Sequence, residues 1–343
     1  VCLRAGRGRA AAGDLPEPRD ASAPSYVPIP EWHIRAEPGC KPRNYQTNIE
    51  VKAMTMQRLF EIFHQRILLE DQDYYSIARA ARDRILSQFR DAEPDSGGRK
   101  FTTLNWGSYA MGTGIKPLNQ EYDIDLGLVF NLRPGDVSSQ ELKASIHNTL
   151  YRAGYNPKWN RPCLTVAFPK FHIDMAICTR EGNRLFLAEG KQHDGNARWR
   201  PDGMESFVQM IKVHPNPAHS QQFRRVVRYL KRWKDIHFSA DGMKGPVGLA
   251  LTVMAYHWFP TNCNDLEALS VVVRNAVRHF SNGYTTLNFP YEPNDNLLRK
   301  MSKEQVFQMS RRFQMFDSWL DEAAKYERTD YLVHAFGPDF PPY

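Results

Sequence analysis

The stretch Tyr122-Asp-Ile-Asp-Leu-Gly-Leu-Val-Phe130 constrains this chain more than any other. Side chains alternate across a strand, so Asp123, Asp125, Gly127 and Val129 share one face while Ile124, Leu126, Leu128 and Phe130 share the other. The pattern predicts a strand with one buried face and two carboxylates side by side on the opposite one. Just upstream, Gly107-Ser-Tyr-Ala-Met-Gly-Thr-Gly114 is a small-residue turn suited to opening a helix. The first amides of a helix lack intrahelical partners and the helix dipole favours an anion, so a phosphate is the natural guest. A phosphate cradle leading into paired carboxylates predicts a nucleoside triphosphate held on divalent metal ions.

At 343 residues the chain has room for two domains or one large bilobed unit. Its 42% hydrophobic and 12% aromatic content describes an ordinary soluble globular protein. No apolar run approaches the roughly 20 residues that span a membrane, so no membrane partner is expected. The net charge of +7 suits nucleotides or polyanions, but the excess is modest, so nucleic acid is not expected as a required partner. The five cysteines are scattered and odd in number, which predicts no disulfide framework and a reducing, cytoplasmic home. His257 and Cys263 lack two further soft ligands nearby, so no zinc site is expected there.

Residues 1–48 read as a disordered or extended segment: 1–30 are rich in Ala, Arg, Gly and Pro, with too little apolar surface to pack. Acidic Asp14, Glu17 and Asp20 argue against a transit peptide. Helical spacing predicts helices over about 50–68, through Met54, Leu59, Ile62 and Phe63, and over about 72–92, through Tyr75, Ala78, Ala81, Ile85 and Phe89. A turn-rich loop at 93–98 follows. Ser138 or Ser139 caps a helix running to about Ala153. Cys163–Phe168 and Phe171–Cys178 alternate as strands, with His172, Asp174, Ala176 and Cys178 on one face of the second. The segment 183–191 reads as another strand, 193–216 mainly as loop. From Gln221 a helix buries Phe223, Val226, Val227, Leu230 and Trp233, and its Arg224, Arg228 and Lys231 line up as a basic stripe, either solvated or facing a triphosphate. The run 245–259, apolar on nearly all sides, is a central helix. Helices at 266–280 and 303–325 flank an aromatic, Pro-rich loop at 288–298. The division expected is a catalytic core over 49–215 and a helical lobe over 216–343.

Nucleotidyl transfer onto a hydroxyl requires in-line attack and neutralisation of charge on the transferring phosphorus, which two metal ions held by carboxylates on adjacent strands supply. Asp123 and Asp125 would bridge the metals, and Asp174 would complete the set beside the attacking hydroxyl. Gly107 amides and Ser108 would grip the β- and γ-phosphates, and Lys231 would neutralise the pyrophosphate. Each feature alone is weak; the ordered set is far more specific. A Walker lysine loop and a kinase glycine loop are both absent.

Gly107-Ser-Tyr-Ala-Met-Gly-Thr113, Tyr122-Asp-Ile-Asp-Leu126 and His172-Ile-Asp174 resemble the signature of DNA polymerase β-like nucleotidyltransferases. More narrowly, they resemble the bacterial cyclic GMP-AMP synthase/DncV-like nucleotidyltransferases (CD-NTases), which make cyclic oligonucleotide signals in anti-phage defence. The resemblance continues in Arg228–Lys234, Asn294–Leu298 and Phe336–Pro341 and covers about residues 50–341. It implies an α+β bilobed fold, a mixed β-sheet core with a helical C-terminal lobe and the active site in the cleft. It implies two Mg²⁺ ions, with Mn²⁺ as substitute, on Asp123, Asp125 and Asp174, and nucleotide contacts from Gly107, Ser108 and Lys231. The implied substrates are ATP and GTP or another triphosphate, the implied partners a downstream cyclic-nucleotide effector and a regulatory protein. Pro246 is followed by Val247 and Gly248 where family members often carry a phosphate-contacting Ser, so that contact would have to come from a backbone amide or be missing. A linear oligonucleotide synthase of the 2′-5′ oligoadenylate type, or an RNA-tailing enzyme, is the competing reading.

Overall fold

The computed structural model describes residues 55–69, 75–91, 100–118, 122–239, 243 and 245–342. The expectations for 1–48, for 50–54 including Met54, and for the turn at 93–98 lie outside these residues.

The centre is a seven-stranded mixed sheet. Strand β1 (Phe101–Asn105) pairs antiparallel with β2 (Tyr122–Phe130), which runs parallel to β5 (Phe171–Glu181). β5 is the longest strand, at eleven residues, so one flank carries β2 while the other carries β4 (Leu164–Ala167) along its first half and β6 (Arg184–Glu189) along its second. β3 (Lys158–Trp159) extends β4 and β7 (Arg198–Asp202) extends β6.

Two helices cover one face: α2 (Tyr75–Asp91), through Ala78, Ile85 and Phe89, and α4 (Ser139–Arg152), through Leu142, Ile146 and Leu150. They pack on Ile124, Leu126, Leu128, Ile173 and Ile177, as the alternation requires. Ser138 caps α4 by accepting the Glu141 amide at 3.1 Å. The opposite face is not simply polar. Beyond the aspartates, Val129, Ala176 and Cys178 pack under Trp106, Leu185 and Leu187. A Cβ on Gly127 would sit 3.1 Å from the Trp106 ring, so any larger residue there would have to push the indole by a few tenths of an ångström.

A second, mainly helical core joins α1 (Met56–Ile67) to α5 (Met204–Val213), α6 (Ser220–Ser239), α7 (Gly248–Trp258), α8 (Asp265–Ser281), α9 (Lys303–Tyr326) and α10 (Asp330–Phe336). α1 buries Leu59, Phe60, Phe63 and Ile67, whereas Ile62 is only half-buried. Capping boxes at Asn264/Glu267 and Ser302/Gln305 open α8 and α9, satisfying amides that would otherwise lack partners. No described helix is long and apolar enough to cross a membrane.

Two stretches read as loop are ordered. Residues 193–216 contain β7 and α5, and 288–298 contain a small two-stranded sheet, β8 (Asn288–Phe289) with β9 (Glu292–Asn296). Tertiary partners order both. β7 is an edge strand, where Pro201 needs no ladder partner; its Arg200 reaches Asp202 at 3.2 Å and Asp295 at 3.4 Å. α5 has no capping residue at Gly203, and the Asp202 carboxylate accepts the Met204 amide at 2.9 Å instead. α10 also went unforeseen because its seven residues are too few to show a period.

Candidate active site

The parallel register of β2 and β5 sets Asp125 opposite Asp174 and Asp123 opposite His172. On the far flank of β5, β4 sets Thr165 opposite Asp174. Opposed residues on neighbouring strands share a face with Cβ atoms about 5 Å apart. Asp125, Asp174 and Thr165 therefore form one row across three strands, with Asp123 and His172 in the row beside it. His172 Nδ1 lies 3.4 Å from Asp123 Oδ1, and the Thr165 hydroxyl donates a short hydrogen bond to Asp174 Oδ1.

The turn after β1 brings a short helix, α3 (Gly107–Met111), over these rows. Gly107 has φ 64°, and a Cβ there would lie 1.7 Å from Asp125 Oδ2. Positive φ and the abutting carboxylate both demand glycine at this position. The Trp106 amide donates to the Asp125 carbonyl at 3.0 Å, which locks the start of α3 to β2. Burial, then the charges of Asp174 and Asp123, push the Asp125 carboxyl up to about 7 against the pull of Lys231.

Lys231, 8% exposed on α6, donates to the Thr113 carbonyl at 3.0 Å and the Thr113 hydroxyl at 3.2 Å. Burial, then the nearby cations Lys234 and Arg228, lower its ammonium to about 7 although Asp125 attracts it. Desolvation leads for both groups, so their mutual attraction offsets only part of the cost.

The basic stripe divides: Lys231 lines the cavity, whereas Arg228 is neither solvated nor part of the cavity wall. Arg228 donates to the carbonyls of Gly112 and Gly114 and, at 2.9 Å, to His64 Nε2. Arg232 donates to the Lys116 carbonyl at 2.7 Å. These cations are buried and clamp the backbone that follows α3. Thr113, fully buried, and Arg232 escaped the sequence reading. The available signal was the density of cations in Arg228–Lys234, alternating with Leu230 and Trp233 on the core face.

Gly107, Ser108, Asp123, Asp125 and Lys231 line one cavity of about 890 Å³. Asp174 is not among its lining residues and stands one strand behind Asp125. The first turn of α7 does reach the cavity: Val247, Gly248 and Leu249 line it, with no side-chain cap on the helix. Lys234 and Asp235, a turn beyond Lys231, also line the cavity and were not foreseen. Tyr109, Tyr155 and Arg180 do not line it; Tyr109 accepts from Arg79 at 3.3 Å and Arg180 pairs with Glu205 at 2.7 Å.

The donor set suits a hard divalent cation. Three carboxylates repel one another, no protein donor bonds the Asp125 carboxylate among the described residues, and oxygen ligands are what Mg²⁺ takes. Among the described residues no three His, Cys, Asp or Glu groups form a ready-made coordination cage. The fit is therefore one of charge and donor type.

Residues 102–178, which hold β1 through most of β5 and all three aspartates, match the family described as cyclic GMP-AMP synthase DncV-like, nucleotidyltransferase domain. A curated relative, the cyclic GMP-AMP synthase of Escherichia albertii, is 25% identical over 197 residues. That match covers 50% of this chain and 43% of the relative, so the chain spans less than half of the relative's length. Among solved structures, the Bradyrhizobium diazoefficiens CD-NTase CdnG in complex with GTP is similar at TM-score 0.65 and 16% identity, over 82% of this chain and 95% of its own. Vibrio cholerae di-nucleotide cyclase (DncV) is similar at TM-score 0.67 and 12% identity, over 82% and 96%. E. coli CdnC bound to HORMA-deltaN is similar at TM-score 0.61 and 16% identity, over 83% and 98%. The chain shares their α+β fold, and its residues 102–178 are similar to the DncV-like nucleotidyltransferase domain.

Proposed function

We propose that the chain is a template-independent nucleotidyltransferase that joins nucleoside triphosphates into a cyclic di- or oligonucleotide, releasing pyrophosphate, in bacterial anti-phage signalling. The observation that carries this reading is the convergence of Asp123, Asp125, Gly107, Ser108 and Lys231 on one cavity, with Asp174 in register behind Asp125. Asp123, Asp125 and Asp174 would hold Mg²⁺, or Mn²⁺ in its place. Bound there, the metal would lower the pKa of the attacking hydroxyl and neutralise charge on the transferring phosphorus. The chain's own groups do the rest. α3 presents Ser108 and the amides near Gly107 to the triphosphate, and Lys231, with the first turn of α7, faces the pyrophosphate end. The core over 49–215 supplies the carboxylates and the helical lobe over 216–343 the cations.

ATP and GTP are the substrates proposed. Structural relatives have been solved with GTP and with ATP, and the HORMA complex of CdnC supports a regulatory protein partner. A cytoplasmic location and a cyclic-nucleotide effector complete the reading. Incubation with all four triphosphates and Mg²⁺ should yield a phosphatase-resistant cyclic product, identified by mass spectrometry. A linear, phosphatase-sensitive product would refute cyclisation.

A further inference from the structure

Only one of the facing carboxylates at the centre of the site is held from behind. Asp125 has no protein hydrogen-bond donor among the described residues, whereas Asp174 receives the Thr165 hydroxyl on Oδ1. Thr165 is itself held. The Asn160 side-chain amide donates to Thr165 Oγ1 at 2.8 Å. A hydroxyl has one proton to give, and with its oxygen occupied by the Asn160 donor that proton points at Asp174. Asn160 in turn is fixed through its backbone. Its N–H donates to the Cys163 carbonyl at 3.0 Å, and its carbonyl accepts the Lys143 ammonium at 2.8 Å. Lys143 is 1% exposed and also bonds the carbonyls of Arg161, Ala188 and Gly190 at 2.9, 3.5 and 3.3 Å. The chain Lys143–Asn160–Thr165–Asp174 thus runs from the buried α4 side of the sheet edge into the carboxylate row, in contacts already made by the protein alone.

We propose that Thr165, oriented by Asn160, is a positioning residue: it pins Asp174 Oδ1 and so presents Oδ2 to the cation and attacking hydroxyl. This rests on the nucleotidyl-transfer reading above. Asp174 belongs to the acceptor side of that chemistry, while the triphosphate meets α3, Lys231 and the other two aspartates. Loss of the pin should therefore act on turnover more than on nucleotide binding.

The test uses the full chain with two readouts, Mn²⁺ titration followed by the electron paramagnetic resonance signal of free Mn²⁺, and steady-state product formation from ATP and GTP. Loss of an outer-sphere partner to a metal ligand commonly costs about 10–100-fold, so Thr165→Val should weaken Mn²⁺ binding and lower kcat by about that factor, with KM for nucleotide unchanged. Thr165→Ser, which keeps the hydroxyl, should restore both, and Asn160→Ala should fall between Val and wild type. Wild-type Mn²⁺ binding and kcat in Thr165→Val would overturn the proposal while leaving nucleotidyl transfer standing. If the wild-type protein turns over no nucleotide yet Thr165→Val still weakens Mn²⁺ binding, the positioning role stands and the transfer reading falls. Should circular dichroism show Thr165→Val unfolded, the other two variants decide: Asn160→Ala indistinguishable from wild type refutes the relay, and weakened Asn160→Ala beside normal Thr165→Ser supports it.

Discussion

The acidic and basic sides of the cavity are built in opposite ways. The aspartates stand on strands, repel one another, and draw few protein donors. The cations of α6 are already engaged: Arg228, Lys231 and Arg232 are tied to carbonyls between Gly112 and Lys116. Desolvated like charges raise the free energy of a fold, whereas hydrogen bonds to carbonyls offset part of the cost of burying a cation. The acidic side is thus arranged for an incoming cation, and the basic side holds the loop that carries α3 in place.

The sharpest way to break this contrast is Asp123→Asn with Asp125→Asn. Product should fall at least about 10³-fold, as expected when developing charge loses its stabilisation, in a mass-spectrometric product assay. The melting temperature at pH 7.5 should stay at or above wild type, because the change removes repulsion. Lys231→Met comes next. It should lower kcat/KM by about 10²-fold, the usual cost of one charge-stabilising donor, with only a small drop in denaturation midpoint. Arg228→Met should reverse that ranking. Stability should fall by about 2–4 kcal/mol, since buried acceptors at Gly112 and Gly114 lose their donor, and urea melts of the two variants compare them directly.

The smallest effect is on pH dependence. Burial, then Arg228, lowers His64 to about 4 from its usual 6.5. The unfolded chain therefore binds the extra proton between pH 6.5 and 4, and stability falls as pH drops through that window. After allowance for partial exposure the loss should be about 1–2 kcal/mol. Asp125 has the opposite sign: its carboxyl is raised to about 7, so the folded state holds the proton and stability falls as pH rises from about 4 to 7. Urea melts across pH 4–7 should thus show a steeper rise with pH in Asp125→Asn than in wild type, and a shallower one when His64→Gln is added, with His214 and His257, also lowered by burial, keeping part of the slope. An unchanged slope on adding His64→Gln would show that His64 takes no part.

The carboxylate face was readable because period-two alternation needs no partner to be seen. Asp123 and Asp125, and Asp174 on β5, could be assigned a side from sequence alone, and helices with strong apolar stripes such as α6 and α9 fall within a few residues of expectation. Gly107 was readable as a turn. That its missing side chain makes room for Asp125 Oδ2 was not, because the approach crosses from one element to another. β7 and α5 were missed because their order comes from Arg200, Asp202 and the strand beside them rather than from local pattern.

Residue order alone settles which groups can carry charge and which face of an element each one takes, since both follow from side-chain chemistry and backbone period. Register belongs to the folded chain. Setting Asp174 opposite Asp125, with Thr165 behind it, depends on strands far apart in sequence finding a common hydrogen-bond ladder. The fate of the α6 cations was decided the same way: spacing put Arg228 and Lys231 on one stripe, and only packing against the loop after α3 turned that stripe into a clamp.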